Sequence, residues 1–200
     1  MSLHRLSLPI DSDRFNQLDQ TLTLAGTNWH DYQNFATEEY SGYLVSYFQG
    51  VISIVSPGRN HESIAQTFIV LINAYCRHYG LMYYSLGSTR LENPPLAGKE
   101  PDVAYAFNTN KAIPDLAIEV VFSSGSIQEL AKYREIGVKE VWFWQNNEIH
   151  FYELVEDSYQ EISISHFLPQ LTPHLLASFV NRGLNESQLT IETDFVEALN

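Results

Sequence analysis

Pro114-Asp115-Leu116-Ala117-Ile118-Glu119-Val120-Val121-Phe122 is an apolar run interrupted by one carboxylate, and its reading decides the fold. Continuous apolar residues over this length indicate a strand buried on both faces, the pattern of a central strand in an α/β sheet. A carboxylate within such a strand needs a compensating cation or donors, because desolvating a charge is costly. Seventeen residues upstream, Glu100-Pro101-Asp102 opens a second apolar run, Val103 to Phe107, which reads as a neighbouring strand. Asp102 and Glu119 are therefore expected as two carboxylates on adjacent strands. Such a pair can share a hard divalent cation, which takes oxygen ligands. An ion of this kind can polarise a phosphoryl oxygen and lower the pKa of a bound water. Asp115 shares a face with Glu119, but four positions at ~3.3 Å each separate them, so it reads as a strand-entry residue.

Outward from this core, Ser126 to Ile136 reads as a helix stopped by Gly137, followed by a strand at Val141-Trp142-Phe143-Trp144. Further strands are expected at Ile149–Val155, joined through Asn146-Asn147, and at Tyr159–Ile164, with helices at about 173–180 and 191–199. Toward the N-terminus, Tyr43–Phe48 and Val51–Val55 flank Gln49-Gly50, a hairpin turn. From His61 the apolar residues Ile64, Phe68, Leu71, Ile72, Tyr75 and Tyr79 recur at helical spacing up to Gly80. A short helix is expected over Trp29–Tyr40, a short strand over Leu81–Ser85, and a Pro/Gly loop from Asn93 through Gly98. Residues 1–26 read as a flexible arm and 27–200 as one α/β domain.

The chain carries 11 Lys+Arg against 24 Asp+Glu, a net charge of −13, which opposes phosphate binding. The acid is unevenly placed. Arg59 to Lys139 holds eight basic and eight acidic residues, and nine acids lie after Gln145. A neutral middle can approach a polyanion, although only weakly, which excludes a strong nonspecific DNA binder. No apolar run approaches a membrane span, and Met1–Asp13 lacks a signal pattern, so a cytoplasmic location is expected. Cys76, the single cysteine, stands in an apolar helical run and reads as a buried hydrophobe. Trp142 and Trp144 read as packing on both faces of their strand, and this aromatic strand offers a surface for a homodimer.

The combination of Trp29, Tyr43, the Gln49-Gly50 turn, His61-Glu62-Ser63-Ile64, Glu100-Pro101-Asp102, Pro114-Asp115…Glu119-Val-Val, Ser124-Gly125, Tyr133, Gly137-Val138-Lys139-Glu140-Val141-Trp142 and Phe167-Leu168-Pro169 resembles the restriction-endonuclease domain family labelled Uma-two. The resemblance covers nearly all of the chain beyond the first ~25 residues. It implies a restriction-endonuclease-like fold: a central mixed sheet flanked by helices, with an N-terminal β-hairpin extension and C-terminal strands and helices. It also implies a PD-(D/E)xK-derived site binding Mg2+ or Mn2+ and acting on DNA or RNA. Carried over by position, Asp102 and Glu119 become the metal carboxylates, and Glu62, in the first helical turn, the auxiliary acid.

One element departs from that pattern. The lysine of an ExK element lies two residues after the acid, on the same strand face, and here that position is Val121. The family places a lysine instead on the following helix, four residues before the tyrosine, and here that position is Glu129. Lys132, one turn on, either reaches the site as the catalytic lysine or pairs with Glu129 on the surface; the surface pair is preferred. His61 reads as a helix-end hydrogen bonder, and Arg90 as a residue able to face phosphate from a nearby loop. Three functions remain open: a divalent-metal-dependent endonuclease or phosphodiesterase, a catalytically degenerate member of the fold serving as a binding or assembly module, and a structural protein whose acidic C-terminal third recruits a basic partner.

Overall fold

The computed structural model describes residues 19–37, 40, 42–122 and 126–200. Eleven strands form two sheets, with five α-helices among the described residues. The larger sheet contains β7 (Val103–Phe107), β8 (Leu116–Val121) and β9 (Glu140–Gln145) at its centre. It extends through β10 (Glu148–Val155) and β11 (Ser158–Ile162) on one side and β4 (Tyr83–Ser85) on the other, in the order β11-β10-β9-β8-β7-β4. Among the described residues only β8 and β9 run parallel. Their crossover is α3 (Ser126–Ile136), the connection a parallel pair requires. The sheet is mixed, as expected.

Alternation along β8 and β9 sorts their side chains to two faces. Leu116, Ile118, Val120, Trp142 and Trp144 join the core beneath α2 (Arg59–Tyr79) and the C-terminal helices α4 (Pro173–Val180) and α5 (Gln188–Ala198). Ala117, Val141 and Phe143 pack on the other side, with Leu130, Tyr133 and Ile136 of α3. Trp142 and Trp144 are thus buried inside the chain, which removes the basis on which the aromatic strand suggested a homodimer. No helix among the described residues is long and apolar enough to cross a membrane.

The smaller sheet has the order β1-β3-β2-β6-β5 and departs more from expectation. Its hairpin, β2 (Leu44–Phe48) and β3 (Val51–Ser56), turns on Gln49 and Gly50 with φ of 47° and 81°. Both are positive, as a two-residue type I′ turn demands. Asn146 and Asn147, at 53° and 66°, make the equivalent turn between β9 and β10. Of the expected N-terminal arm, residues 1–18 lie outside the described residues, whereas Gln20–Ala25 is β1, paired antiparallel with β3 over its full length. The Pro/Gly loop also contains structure: β5 (Leu91–Asn93) and β6 (Ala97–Lys99) form a small hairpin, and β6 pairs with β2. Three-residue strands broken by Pro94-Pro95 have no readable period, so only pairing reveals them. Helix α1 (Trp29–Phe35) is capped by Asn28 and Asp31 in a capping box and packs on this sheet.

Gly98 is where α1 meets β6. A Cβ there would stand 2.5 Å from the Tyr32 ring, and Tyr32 is fully buried. Gly98→Ala should therefore displace the ring and cost about 1–3 kcal/mol, as overpacked cores do. A lowered urea midpoint at unchanged slope is the expected reading. An unchanged midpoint would show that the two elements separate freely.

Candidate active site

The register Val103↔Ile118, continued one step, sets Asp102 opposite Glu119. Directly opposed residues share a face with Cβ atoms ~5 Å apart. Asp102, immediately before the start of β7, extends the ladder with its side chain: Oδ2 accepts from the backbone N–H of Val120 at 2.6 Å. Its Oδ1 lies 2.9 Å from Nε2 of His61, an ion-pair contact outside hydrogen-bond geometry. His61 Nδ1 in turn meets Asp19 Oδ2 at 3.0 Å, and Asp19 Oδ1 accepts from the N–H of Gly58, the residue before α2. The start of α2 is thereby fastened between β1 and the start of β7.

Burial opposes charge on His61, but Asp102 and Asp19 outweigh it and push the imidazolium up to about 11. A folded pKa above the ordinary 6.5 stabilises the fold fully below pH 6.5, and that stabilisation is lost as pH rises through about 11. The melting-temperature gap between the wild type and His61→Gln should accordingly be widest near pH 6 and narrow toward pH 10. A gap independent of pH would show that His61 is neutral in the fold.

Glu119 is buried on the α3 side of β8. Its Oε1 accepts a short hydrogen bond from the Tyr133 hydroxyl, and its Oε2 pairs with Nζ of Lys99 at 3.0 Å. Lys99 lies at the end of β6, in the smaller sheet, and also contacts Glu129 at 3.1 Å. Glu129 is held a second time by Lys132, at 2.7 Å, and Lys132 donates to Ser46 Oγ of β2 at 3.0 Å. Glu119, Lys99, Glu129 and Lys132 form one charged chain from β8 across α3 to the smaller sheet, with the Tyr133 and Ser46 hydroxyls at its ends.

The preferred reading of Lys132 as a surface partner is half right: the pair with Glu129 exists, but Lys132 is buried at 7% exposure. Helical periodicity gave α3 one polar face, and the smaller sheet covers that face. Nor does Glu129 oppose the site with bare charge, since Lys99 and Lys132 overcome its burial and hold its carboxyl down to about 2. Burial draws the Lys132 ammonium down. Lys99 is held up by Glu119 and Glu129 in spite of its burial and stays cationic. Glu119 is the acid that titrates: desolvation pushes it up to about 7, against the pull of Lys99.

Glu62 is exposed and does not line this cleft; its neighbour His61 does. Arg90 binds Glu100 at 2.7 Å and the carbonyl of Ala36, so it braces the cleft wall instead of facing a phosphate. Asp115 accepts from the N–H of Phe107 at 2.8 Å and pairs with Lys111, as a strand-entry residue would. Lys99 is the residue that sequence reasoning missed. Its one signal was position, three residues before Asp102, and that carried no weight while 93–98, just before it, read as loop.

The cleft holds about 480 Å³ and is walled by both sheets, with the buried side chains of Asp102, Glu119, Lys99 and Lys132 in its lining. A model of the Uma2 family, described as "Putative restriction endonuclease", matches residues 29–188. The chain belongs to the Uma2 family. A crystal structure described as a putative nuclease belonging to DUF820, from Anabaena variabilis ATCC 29413, resembles it with a TM-score of 0.51. Identity is 14%, over 68% of this chain and 90% of that one, so the likeness concerns the fold, which is restriction-endonuclease-like. No curated protein matches.

Divalent metals are general among restriction-endonuclease-like proteins. In this Uma2 chain, no three His, Cys, Asp or Glu side chains are grouped to hold an ion among the described residues. The donor set is instead two opposed carboxylates, the number Mg2+ uses when substrate phosphate and water complete its shell. Burial holds the Glu119 carboxyl up even against the pull of Lys99, so a further cation would favour its charged form. The residues fit an ion shared with substrate, and they do not form an all-protein cage.

Proposed function

We propose that this chain is a divalent-metal-dependent endonuclease that cleaves phosphodiester bonds of nucleic acid. The observation that carries the reading is Lys99, which sets an ammonium against Glu119 where Val121 leaves the strand without one. Asp102 and Glu119 would hold Mg2+ or Mn2+, which supplies Lewis acidity at a phosphoryl oxygen and a more acidic water. Tyr133 and Lys99 orient Glu119, and the Val120 N–H with His61 orients Asp102. Lys99 brings a protonated group to the place where negative charge develops on the transferring phosphoryl. Glu129 and Lys132 keep that ammonium in place, one by pairing with it and the other by sharing the charge of Glu129.

Incubation of the purified chain with single-stranded and duplex DNA and RNA, with Mg2+ or Mn2+, tests this directly. Cleavage that EDTA stops is expected, and folded protein inert on every substrate with either ion would refute it. A second reading, binding without hydrolysis, is favoured by the saturation of Asp102 and Glu119: every oxygen of both already has a protein partner. Calorimetric titration with Mn2+ separates the two, since the binding module should release no heat.

A further inference from the structure

The floor of the cleft is the smaller sheet, and away from Lys99 its chemistry is unlike that around Asp102 and Glu119. Thr23 of β1 is opposite Ser53 of β3, and Ser53 is opposite Ser46 of β2. All three line the cleft, so three hydroxyls stand in register across three adjacent strands. At ~4.8 Å between strands the row spans ~10 Å. It ends at Ser46 Oγ, where Lys132 donates. The next positions on this face are mostly apolar, with Leu44 and Thr21 flanking Val55 on one side of the row and Phe48 opposite Val51 on the other. Such a floor hydrogen-bonds uncharged groups and packs against flat apolar ones, and among the described residues the cation it brings to the cleft is Lys99, at the end of β6.

Charge around the cleft points the same way. Among the described residues its only cations are Lys99, Lys132 and His61, each already paired, while Asp19 and Glu100 add negative charge to the walls. A duplex-binding protein commonly neutralises ~6–10 phosphates, and this cleft can meet about two. Its volume of about 480 Å³ lies in the range of small-molecule clefts, ~300–1,000 Å³.

We infer that the cleft takes one nucleotide unit of a single-stranded polynucleotide, with its scissile phosphate toward Lys99 and its sugar and base along the Thr23–Ser53–Ser46 row, and that it does not take an intact duplex. The inference rests on the nuclease reading and adds the substrate class. Sugar hydroxyls and base edges bond to the row, and the base lies over Phe48 and the valines, as sequence-tolerant single-strand binders use aromatic faces.

Fluorescence anisotropy with the full chain tests it, using a 5′-labelled ten-residue single strand, in deoxy and ribo forms, and the blunt duplex of the same sequence. Ca2+ replaces Mg2+ or Mn2+ to hold back turnover. Single strand should bind at least about tenfold tighter than duplex, with log K against log salt sloping only about −1 to −2. Thr23→Val/Ser53→Ala, which removes two hydroxyls and adds no bulk, should weaken single-strand binding about tenfold at an unchanged melting temperature. The deoxy and ribo arms decide which strand is the natural one. Equal or tighter duplex binding, no binding to either strand, or a double variant that binds like the wild type at full stability would overturn it. Hydroxyl-dependent single-strand binding without cleavage under any ion would leave this inference standing and remove the nuclease reading. Cleavage confined to duplex would do the reverse.

Discussion

Glu119→Gln should reduce metal-dependent cleavage at least about 100-fold, a larger loss than removing outer-shell partners of a metal typically causes. The amide keeps the shape and can still accept from Tyr133, but it loses the charge that would hold the ion and pair with Lys99. The wild-type rate should rise with pH through about 7, because burial delays ionisation of Glu119 to that range. Stability should move the other way. A carboxyl with a folded pKa of about 7, above its ordinary 4.5, favours the fold below pH 4.5, and that benefit is lost as pH rises through 7. The variant should therefore melt higher relative to wild type at pH 8 than at pH 5. Cleavage at an undiminished rate in Glu119→Gln would remove this acid from the chemistry. A melting-temperature difference independent of pH would show that its carboxyl is not desolvated.

Lys99→Met is expected to be the most damaging single substitution in both activity and stability. The ammonium serves two buried carboxylates, Glu119 at 3.0 Å and Glu129 at 3.1 Å. Removing one partner of a buried ionic group costs ~3–5 kcal/mol, because the remaining charge is left without compensation. In a chain of this size that corresponds to a fall of ~10 °C in melting temperature. Lys132 can retain Glu129 but has no contact with Glu119, so the exposed charge is that of Glu119. Adding Glu119→Gln to Lys99→Met should therefore restore a large part of the lost stability while leaving cleavage absent. Strictly additive losses in this double-mutant cycle would refute the coupling, and full activity in Lys99→Met would transfer the catalytic role to Lys132.

The comparison of sequence with structure turns on these same lysines. The apolar run around Glu119 and the Pro101-Asp102 entry to the next strand were sufficient to place both acids on neighbouring strands, since a buried strand has a local signature and an interior charge is conspicuous within it. The two-residue turns at Gln49-Gly50 and Asn146-Asn147 and the long helix α2 were legible for the same reason: each depends on backbone preferences of a few adjacent residues. Glu62 was placed at the helix start correctly but lies exposed outside the cleft, because a shift of one residue on a helix turns a side chain by about 100°, and that turn brings His61 to Asp102 instead.

What the chain by itself determined was thus the adjacency of β7 and β8, the carboxylate pair and the absence of a lysine two residues after Glu119. Only the tertiary structure decided what replaces that lysine. Lys99 comes from a three-residue strand of a different sheet, and it reaches Glu119 because β6 pairs with β2 while α3 packs against both sheets. No period or propensity encodes that approach. It follows from the smaller sheet closing over the polar face of α3, which turns an apparent surface pair of Glu129 and Lys132 into the buried support of the site.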